Sequence, residues 1–138
     1  MYQDVRTKFF YDGTVIRNMI SELNNGRIVN LAVALMDNNK KALGGHAFNV
    51  FGYEKAEISS KEIDRGAVEA YIFYIYDCNY PDVVGKIHVV IKQHWNGQET
   101  MEYRLLVPGA NYTGQDGGLD YYYFVAIDSD YNVLNEKR

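Results

Sequence analysis

Two segments of the chain carry side chains that could perform acid–base chemistry. His46 stands at the start of an apolar run, directly after Gly44 and Gly45, and two glycines allow close approach of backbone or ligand. Asp77 and Asn79 follow a second apolar run. A histidine ring oriented by a carboxylate or an amide is the general-base half of a nucleophilic triad. The spacing therefore makes His46, Asp77 and Asn79 candidate catalytic residues.

The two segments also resemble a known pair of motifs. Residues 44–53 read Gly-Gly-His-Ala-Phe-Asn-Val-Phe-Gly-Tyr, and residues 74–81 read Tyr-Ile-Tyr-Asp-Cys-Asn-Tyr-Pro. In order and spacing they resemble the histidine and aspartate motifs of papain-like cysteine peptidases, in particular the bacterial branch related to double-glycine bacteriocin-processing peptidases. The resemblance covers about residues 14–92. It implies that His46 is the general base, that Asp77 or alternatively Asn79 orients it, and that the substrate is a peptide or protein.

The chain departs from this family in its cysteines. The family's proline between Asp and Asn is here Cys78, and residues 1–45 contain no cysteine to serve as the nucleophile that the family carries upstream of its histidine. Either the chain is a fragment of a larger papain-like domain, or its lineage has lost the nucleophile. Alternation along a strand turns Cys78 away from the Asp77 face and returns Asn79 to it. We interpret Cys78 as a small buried residue, although a bulge or turn at the strand end could break the alternation and leave it open as a nucleophile. We expect the chain, as it stands, to have no peptidase activity.

Plainer interpretations of the same residues remain open. His46 could be a core histidine whose ring is satisfied by a backbone carbonyl group. Asp77 and Asn79 could bond their own backbone and close the end of a strand, as Asp and Asn commonly do before Pro. This turn chemistry is compatible with an orienting role for Asp77.

No metal or cofactor is expected from the sequence. His46, His88 and His94 show no spacing that supports a shared metal site. Residues 128–132 are similar to the start of a calcium-binding loop, but Val133 occupies the position that requires glycine, and the closing Glu is missing. We therefore predict neither zinc nor calcium.

The local patterns predict one main helix followed by about six strands. Asp12 or Thr14 can cap the helix, and the left-handed cap position after it suits Gly26. Its apolar positions are Val15, Ile16, Met19, Ile20 and Leu23. Strands are predicted at 28–35, 46–53, 68–76, 86–92, 99–106 and 121–127, with a charged segment at 54–65, a hairpin at Asn96-Gly97 and a loop at 109–118. Short, turn-linked strands favour an α+β fold with a twisted antiparallel sheet or half-barrel packed against the helix.

Composition narrows the class of partner. The chain has 138 residues, which fits a single domain, 1–138. Its formal net charge of −4 and the absence of a Lys/Arg cluster argue against nucleic acid and against an anionic membrane surface. No apolar run is long enough to span a bilayer. A single cysteine excludes an internal disulfide.

A second class of function also fits these features. Thirteen Tyr against one Trp indicate a sheet with amphipathic aromatic surfaces. The alternative to a peptidase is a non-catalytic binding or interaction domain that uses such a Tyr-rich sheet surface. Half of a divided fold would also expose an apolar patch, so self-association or docking to a missing N-terminal half is a further expectation.

Overall fold

A computed structural model describes residues 12–36, 42–108 and 123–136; for residues 34–36, 42–46 and 123 it describes the backbone alone. The elements in chain order are α1 (Gly13–Asn24), β1 (Val29–Met36), β2 (Ala42–Lys55), α2 (Ser60–Asp64), β3 (Ala67–Tyr76), β4 (Gly85–Gln93), β5 (Glu99–Leu106) and β6 (Tyr123–Ile127). The predicted loop at 109–118 lies outside the described residues, as do the first two residues of the predicted last strand.

The strands form one antiparallel sheet with the order β5-β4-β3-β2-β1-β6. Strands β1 to β5 follow one another as a meander, and β6 joins the sheet beside β1. The sheet curls into a half-barrel with one main helix, so the predicted α+β fold is confirmed. We call the side of the sheet that packs on α1 the core face and the opposite side the outer face.

Local sequence signals account for α1. The carboxylate Oδ1 of Asp12 accepts the Thr14 N–H at 2.8 Å, so Asp12 is the N-cap. Gly26 ends the helix with φ of 76°, a conformation that glycine adopts without strain. Val15, Ile16 and Met19 are fully buried on one side of the helix. This amphipathic face holds α1 on the sheet.

The core lies between α1 and the core face of the sheet. Strands β3 and β4 contribute alternate residues to it, as expected for strands that bury one face. Their fully buried members are Phe73, Ile75, Ile87, Val89 and Ile91. On the outer face, Lys92 Nζ lies 3.0 Å from Glu102 Oε1 and 3.8 Å from Glu62 Oε2, which links the short helix α2 to β4 and β5. Neither helix in the described ranges is long and apolar enough to cross a membrane.

The predicted bounds of β2 were too short. The strand begins at Ala42 and ends at Lys55, because Gly44 and Gly45 pair with β1 and the charged residues Glu54 and Lys55 pair with β3. Pairing with neighbouring strands therefore extends β2 beyond the apolar run by which it was recognised. The charged segment that follows contains α2, and Gly66 closes it with φ of 94°.

Candidate functional site

Strands β2 and β3 bring the backbones of the candidate residues to one end of the sheet. The two strands are antiparallel neighbours, and Asn49 lies opposite Tyr76, the last residue of β3. Continuation of this register places Asp77 level with Phe48. His46 lies two residues further along β2, a distance of roughly 7 Å at the usual rise of a strand.

His46 lies within β2, and its Cα is opposite that of Val33 in β1. The structure describes only the backbone of His46 and not its imidazole ring. The role of His46 as a general base, and the alternative of a core histidine, therefore both stay predictions.

Asp77 combines burial with turn chemistry. It is 1% exposed and follows directly after β3, in which Phe73 and Ile75 are fully buried. Its Oδ1 accepts the Asn79 N–H at 2.9 Å, and its main-chain carbonyl accepts the Tyr80 N–H at 2.9 Å. The predicted turn is thus confirmed, and it fixes a buried carboxylate at the end of β3.

The chain turns at Cys78 and Asn79, and both side chains are exposed at this turn. Asn79 is exposed, and the strand alternation that predicted its return to the Asp77 face stops where β3 ends at Tyr76. Cys78 is exposed, so its interpretation as a buried residue was wrong. The expectation that Cys78 points away from Asp77 agrees with its position in a groove on the outer face.

This groove has a volume of about 230 Å³ and crosses β6, β1, β2 and the end of β3. Its lining residues are Asn30, Leu31, Ala32, Ala47, Phe48, Asn49, Tyr76, Cys78 and Ile127. Ala32 lies opposite Ala47, and these small side chains leave the space open. Asn30, Asn49 and Tyr76 are paired across three adjacent strands and line one part of the groove.

The N-terminus of α1 lies at the other end of the sheet. The Gly13 N–H donates to Glu99 Oε1 at 3.2 Å, and Arg17 donates to Glu69 at 2.7 Å. Glu69 and Tyr76 are seven residues apart on β3, which corresponds to about 23 Å. The start of α1 is therefore remote from Asp77 and does not present residues to that end of the sheet.

Sequence reasoning missed an ionic cluster at this remote end, which consists of Arg17, Glu69, Tyr71 and Glu99. Arg17 donates to both oxygens of Glu99, at 3.0 and 2.8 Å, and to Glu69 Oε2 at 2.7 Å. The Tyr71 hydroxyl donates to Glu69 Oε1 at 2.6 Å. Glu69 and Glu99 are 52 and 82 positions from Arg17, and no local signal relates them.

The electrostatics of this cluster are those of a structural ion pair. The hydrogen bond from Arg17 lowers the pKa of Glu99, and the hydroxyl of Tyr71, followed by Arg17, lowers the pKa of Glu69. Burial, together with the bond to Glu69, raises the pKa of Tyr71 to about 12. All of these shifts stabilise the protonation states that exist at neutral pH. The cluster is suited to holding α1 in place and unsuited to proton transfer.

The aspartate-rich segment near the end of the chain is a turn. Asp128 Oδ1 accepts the N–H groups of Asp130 and Asn132, both at 2.9 Å, and Asp128 Oδ2 accepts Asn132 Nδ2 at 3.1 Å. Tyr131 between them has φ of 65°. The carboxylate thus organises its own loop. Within the described ranges, no three His, Cys, Asp or Glu side chains are grouped so that they could hold a metal ion.

Comparisons of the chain with known protein families, with characterised proteins and with solved structures find no match. The functional assignment therefore depends on the two sequence segments, on the β2–β3 register and on the position of Asp77. Chemically, a buried carboxylate at a strand end can orient an imidazole on the neighbouring strand.

Proposed function

We propose that this chain is the histidine- and aspartate-bearing part of a papain-like cysteine peptidase domain. In the complete enzyme a cysteine thiolate would attack a peptide or isopeptide carbonyl. His46 would act first as general base and then as general acid, with Asp77 orienting its ring and Asn79 as the alternative. As these residues stand, we expect no peptidase activity.

The β2–β3 register is the observation that carries this proposal. Its last pair joins Asn49 to Tyr76, and Asp77 is the next residue of the chain. Extended by one residue, the register brings Asp77 level with residue 48 of β2, which is two residues, or roughly 7 Å along the strand, from His46. Burial of Asp77 removes its carboxylate from competing water, which strengthens any hydrogen bond that it accepts. Asn79 is the weaker candidate, because its side chain is exposed beyond the end of β3.

Two further features support a nucleophile that lies outside this chain. Cys78 lies in the outer-face groove, on the opposite side of the sheet from Asp77. The N-terminus of α1 contacts Glu99 at the remote end of the sheet. Cys78 is therefore on the wrong side of the sheet, and the start of α1 has no cysteine and lies far from Asp77. The nucleophile would be a cysteine outside these 138 residues.

The test is the tautomer of the His46 ring, measured by long-range ¹H–¹⁵N NMR in the wild type and in Asp77→Asn. We expect one dominant neutral tautomer in the wild type, because the Asp77 carboxylate accepts a hydrogen bond from the N–H of one ring nitrogen. The carboxamide introduced by the substitution would be a donor as well as an acceptor, so the variant should lose this preference. The substitution keeps Oδ1 as acceptor for the Asn79 N–H, so the turn is retained.

Asp128→Asn is the matched control. Asp128 is also buried, and it also accepts the N–H of the residue two positions later, at 2.9 Å. This variant should leave the His46 signals unchanged, and the rings of His88 and His94 serve as internal references in every spectrum. If the His46 tautomer is the same in the wild type and in Asp77→Asn, the proposal is wrong.

The outer-face groove favours a second candidate, a non-catalytic binding domain. Two amides and a tyrosine, Asn30, Asn49 and Tyr76, stand next to a floor made by Ala32 and Ala47. A peptide side chain could bury apolar surface on that floor while the amides bond its backbone.

This candidate is tested with N-acetyl-phenylalanine amide as a peptide-like probe. We expect amide shifts at Ala32 and Ala47 during titration, and their loss in Ala47→Leu, which fills the floor. Ala56→Leu, outside the groove, is the control and should leave the shifts intact. Equal responses in the wild type and in Ala47→Leu would exclude binding in this groove.

A further inference from the structure

The outer edge of β6 is closed by residues 132–135. The Leu134 N–H donates to the Ala126 carbonyl at 2.8 Å, and the Asp128 N–H donates to the Asn132 carbonyl at 3.0 Å. Ile127 and Val133 thereby form an antiparallel bridge. Strand β6 thus has β1 on one side and a returning segment of its own chain on the other.

Asn135 extends this closure with its side chain. Its Oδ1 accepts the Ala126 N–H at 3.0 Å, and its Nδ2 donates to the Phe124 carbonyl at 2.8 Å. The residue is fully buried. A carboxamide carries the same carbonyl and N–H groups as a peptide unit. Asn135 therefore satisfies the outward backbone N–H and carbonyl groups of β6 as a neighbouring strand would.

Two other contacts fix this returning segment, residues 128–136, which we call the strap. The Asp128 carboxylate organises its turn, as described above. At its far end, Asn18 Nδ2 of α1 donates to the carbonyls of Leu134 and Glu136, at 2.7 and 3.0 Å. The strap is therefore anchored to the helix as well as to β6.

We propose that the strap covers a self-complementary strand edge, and that the partner this edge fits is β6 of a second copy of the chain. Residues 123–127 contain neither charge nor proline and are rich in aromatic and β-branched side chains. An uncovered edge of this composition pairs readily with another strand. Two copies of one edge can pair antiparallel about a two-fold axis, which gives a closed dimer.

The proposal follows from where the strap makes its bonds. It occupies the outward carbonyl of Phe124 and both outward backbone groups of Ala126. A second β6 would need these same groups, so the strap and the second copy exclude each other. Loosening the strap gives up these hydrogen bonds, two of which are made by the Asn135 side chain, in exchange for backbone hydrogen bonds to a second β6. The exchange becomes more favourable as protein concentration rises.

Two variants test this proposal by sedimentation over a concentration series. Asn135→Ala removes the amide that substitutes for a strand, and Asn18→Ala removes the anchor on α1 without touching β6. We expect self-association in Asn135→Ala to be tighter than in the wild type by about tenfold or more, and a smaller increase in Asn18→Ala. Asn25→Ala, at an exposed amide that binds Ser21, is the control and should match the wild type.

Hydrogen exchange at the Ala126 N–H locates the interface. In Asn135→Ala this amide should exchange rapidly in the monomer and become protected again at dimer concentrations. A dimer in which it stays unprotected would overturn the proposal, because the interface would lie elsewhere. Folded Asn18→Ala and Asn135→Ala proteins that associate no more than the wild type would overturn it as well.

Discussion

Arg17 binds Glu99 through both carboxylate oxygens, and so joins the first turn and a half of α1 to an edge strand of the sheet. The same guanidinium also binds Glu69 on β3. We expect Arg17→Ala to lower the free energy of unfolding by about 1 kcal/mol, because solvent screens a side chain that is 47% exposed. Urea unfolding measures this change. The exposed Arg65 is the control, and Arg65→Ala should cost clearly less; equal losses would contradict the assignment.

The same cluster of Arg17, Glu69, Tyr71 and Glu99 predicts how the free energy of unfolding changes with pH. Folding lowers the pKa of Glu69 and Glu99 below their usual 4.5, so both contribute stability above pH 4.5 that is lost as pH falls further. Arg17→Ala should reduce the loss of unfolding free energy at low pH. The reduction should come mainly from Glu99, because the hydrogen bond from Arg17 is the largest cause of its lowered pKa. Urea unfolding at about pH 7, 5, 4 and 3 measures both profiles. Parallel profiles for the wild type and the variant would show that the pair does not titrate as described.

Two local elements of the fold were predictable from the sequence, and the distant contacts were not. The helix with its cap at Asp12 and its end at Gly26, and the Asn96-Gly97 hairpin, each depend on neighbouring residues, so short patterns reveal them. The contact between Arg17 and Glu99 spans 82 residues. The Asn135 side chain takes the place of a neighbouring strand, and no pattern of residues in the sequence predicts such a role.

For the candidate site, the sequence predicted which strands are neighbours but not where the strand before Asp77 ends. Consecutive strands in a meander are neighbours, which is why His46 and Asp77 come to the same end of the sheet. The assignments of Asn79 and Cys78 assumed that β3 continues through them. The turn from Asp77 to Tyr80 stops the alternation and leaves both side chains exposed.

Two glycines with positive φ offer a matched pair for measuring packing at a turn. Gly66 and Gly97 have φ of 94° and 83°, but a Cβ at Gly66 would lie 2.9 Å from the Gln93 carbonyl oxygen, while Gly97 has open space. Gly97→Ala should cost about 1 kcal/mol for its backbone conformation alone. Gly66→Ala should cost about 1–3 kcal/mol more, since a backbone atom must move. Urea unfolding of both variants measures the difference, and equal losses would contradict the predicted clash.

Cys78 gives a prediction that separates the proposed triad from a nucleophile within the chain. The thiol is exposed in the outer-face groove, so iodoacetamide should alkylate it fully without denaturant. Alkylation should leave the His46 ring signals unchanged, because Asp77 and Cys78 lie on opposite sides of the sheet. A fluorogenic peptide should remain uncleaved by the wild type, by the alkylated protein and by Cys78→Ser alike. Hydrolysis that disappears in both Cys78→Ser and His46→Ala would instead identify Cys78 as the nucleophile and require the turn at residues 77–80 to rearrange.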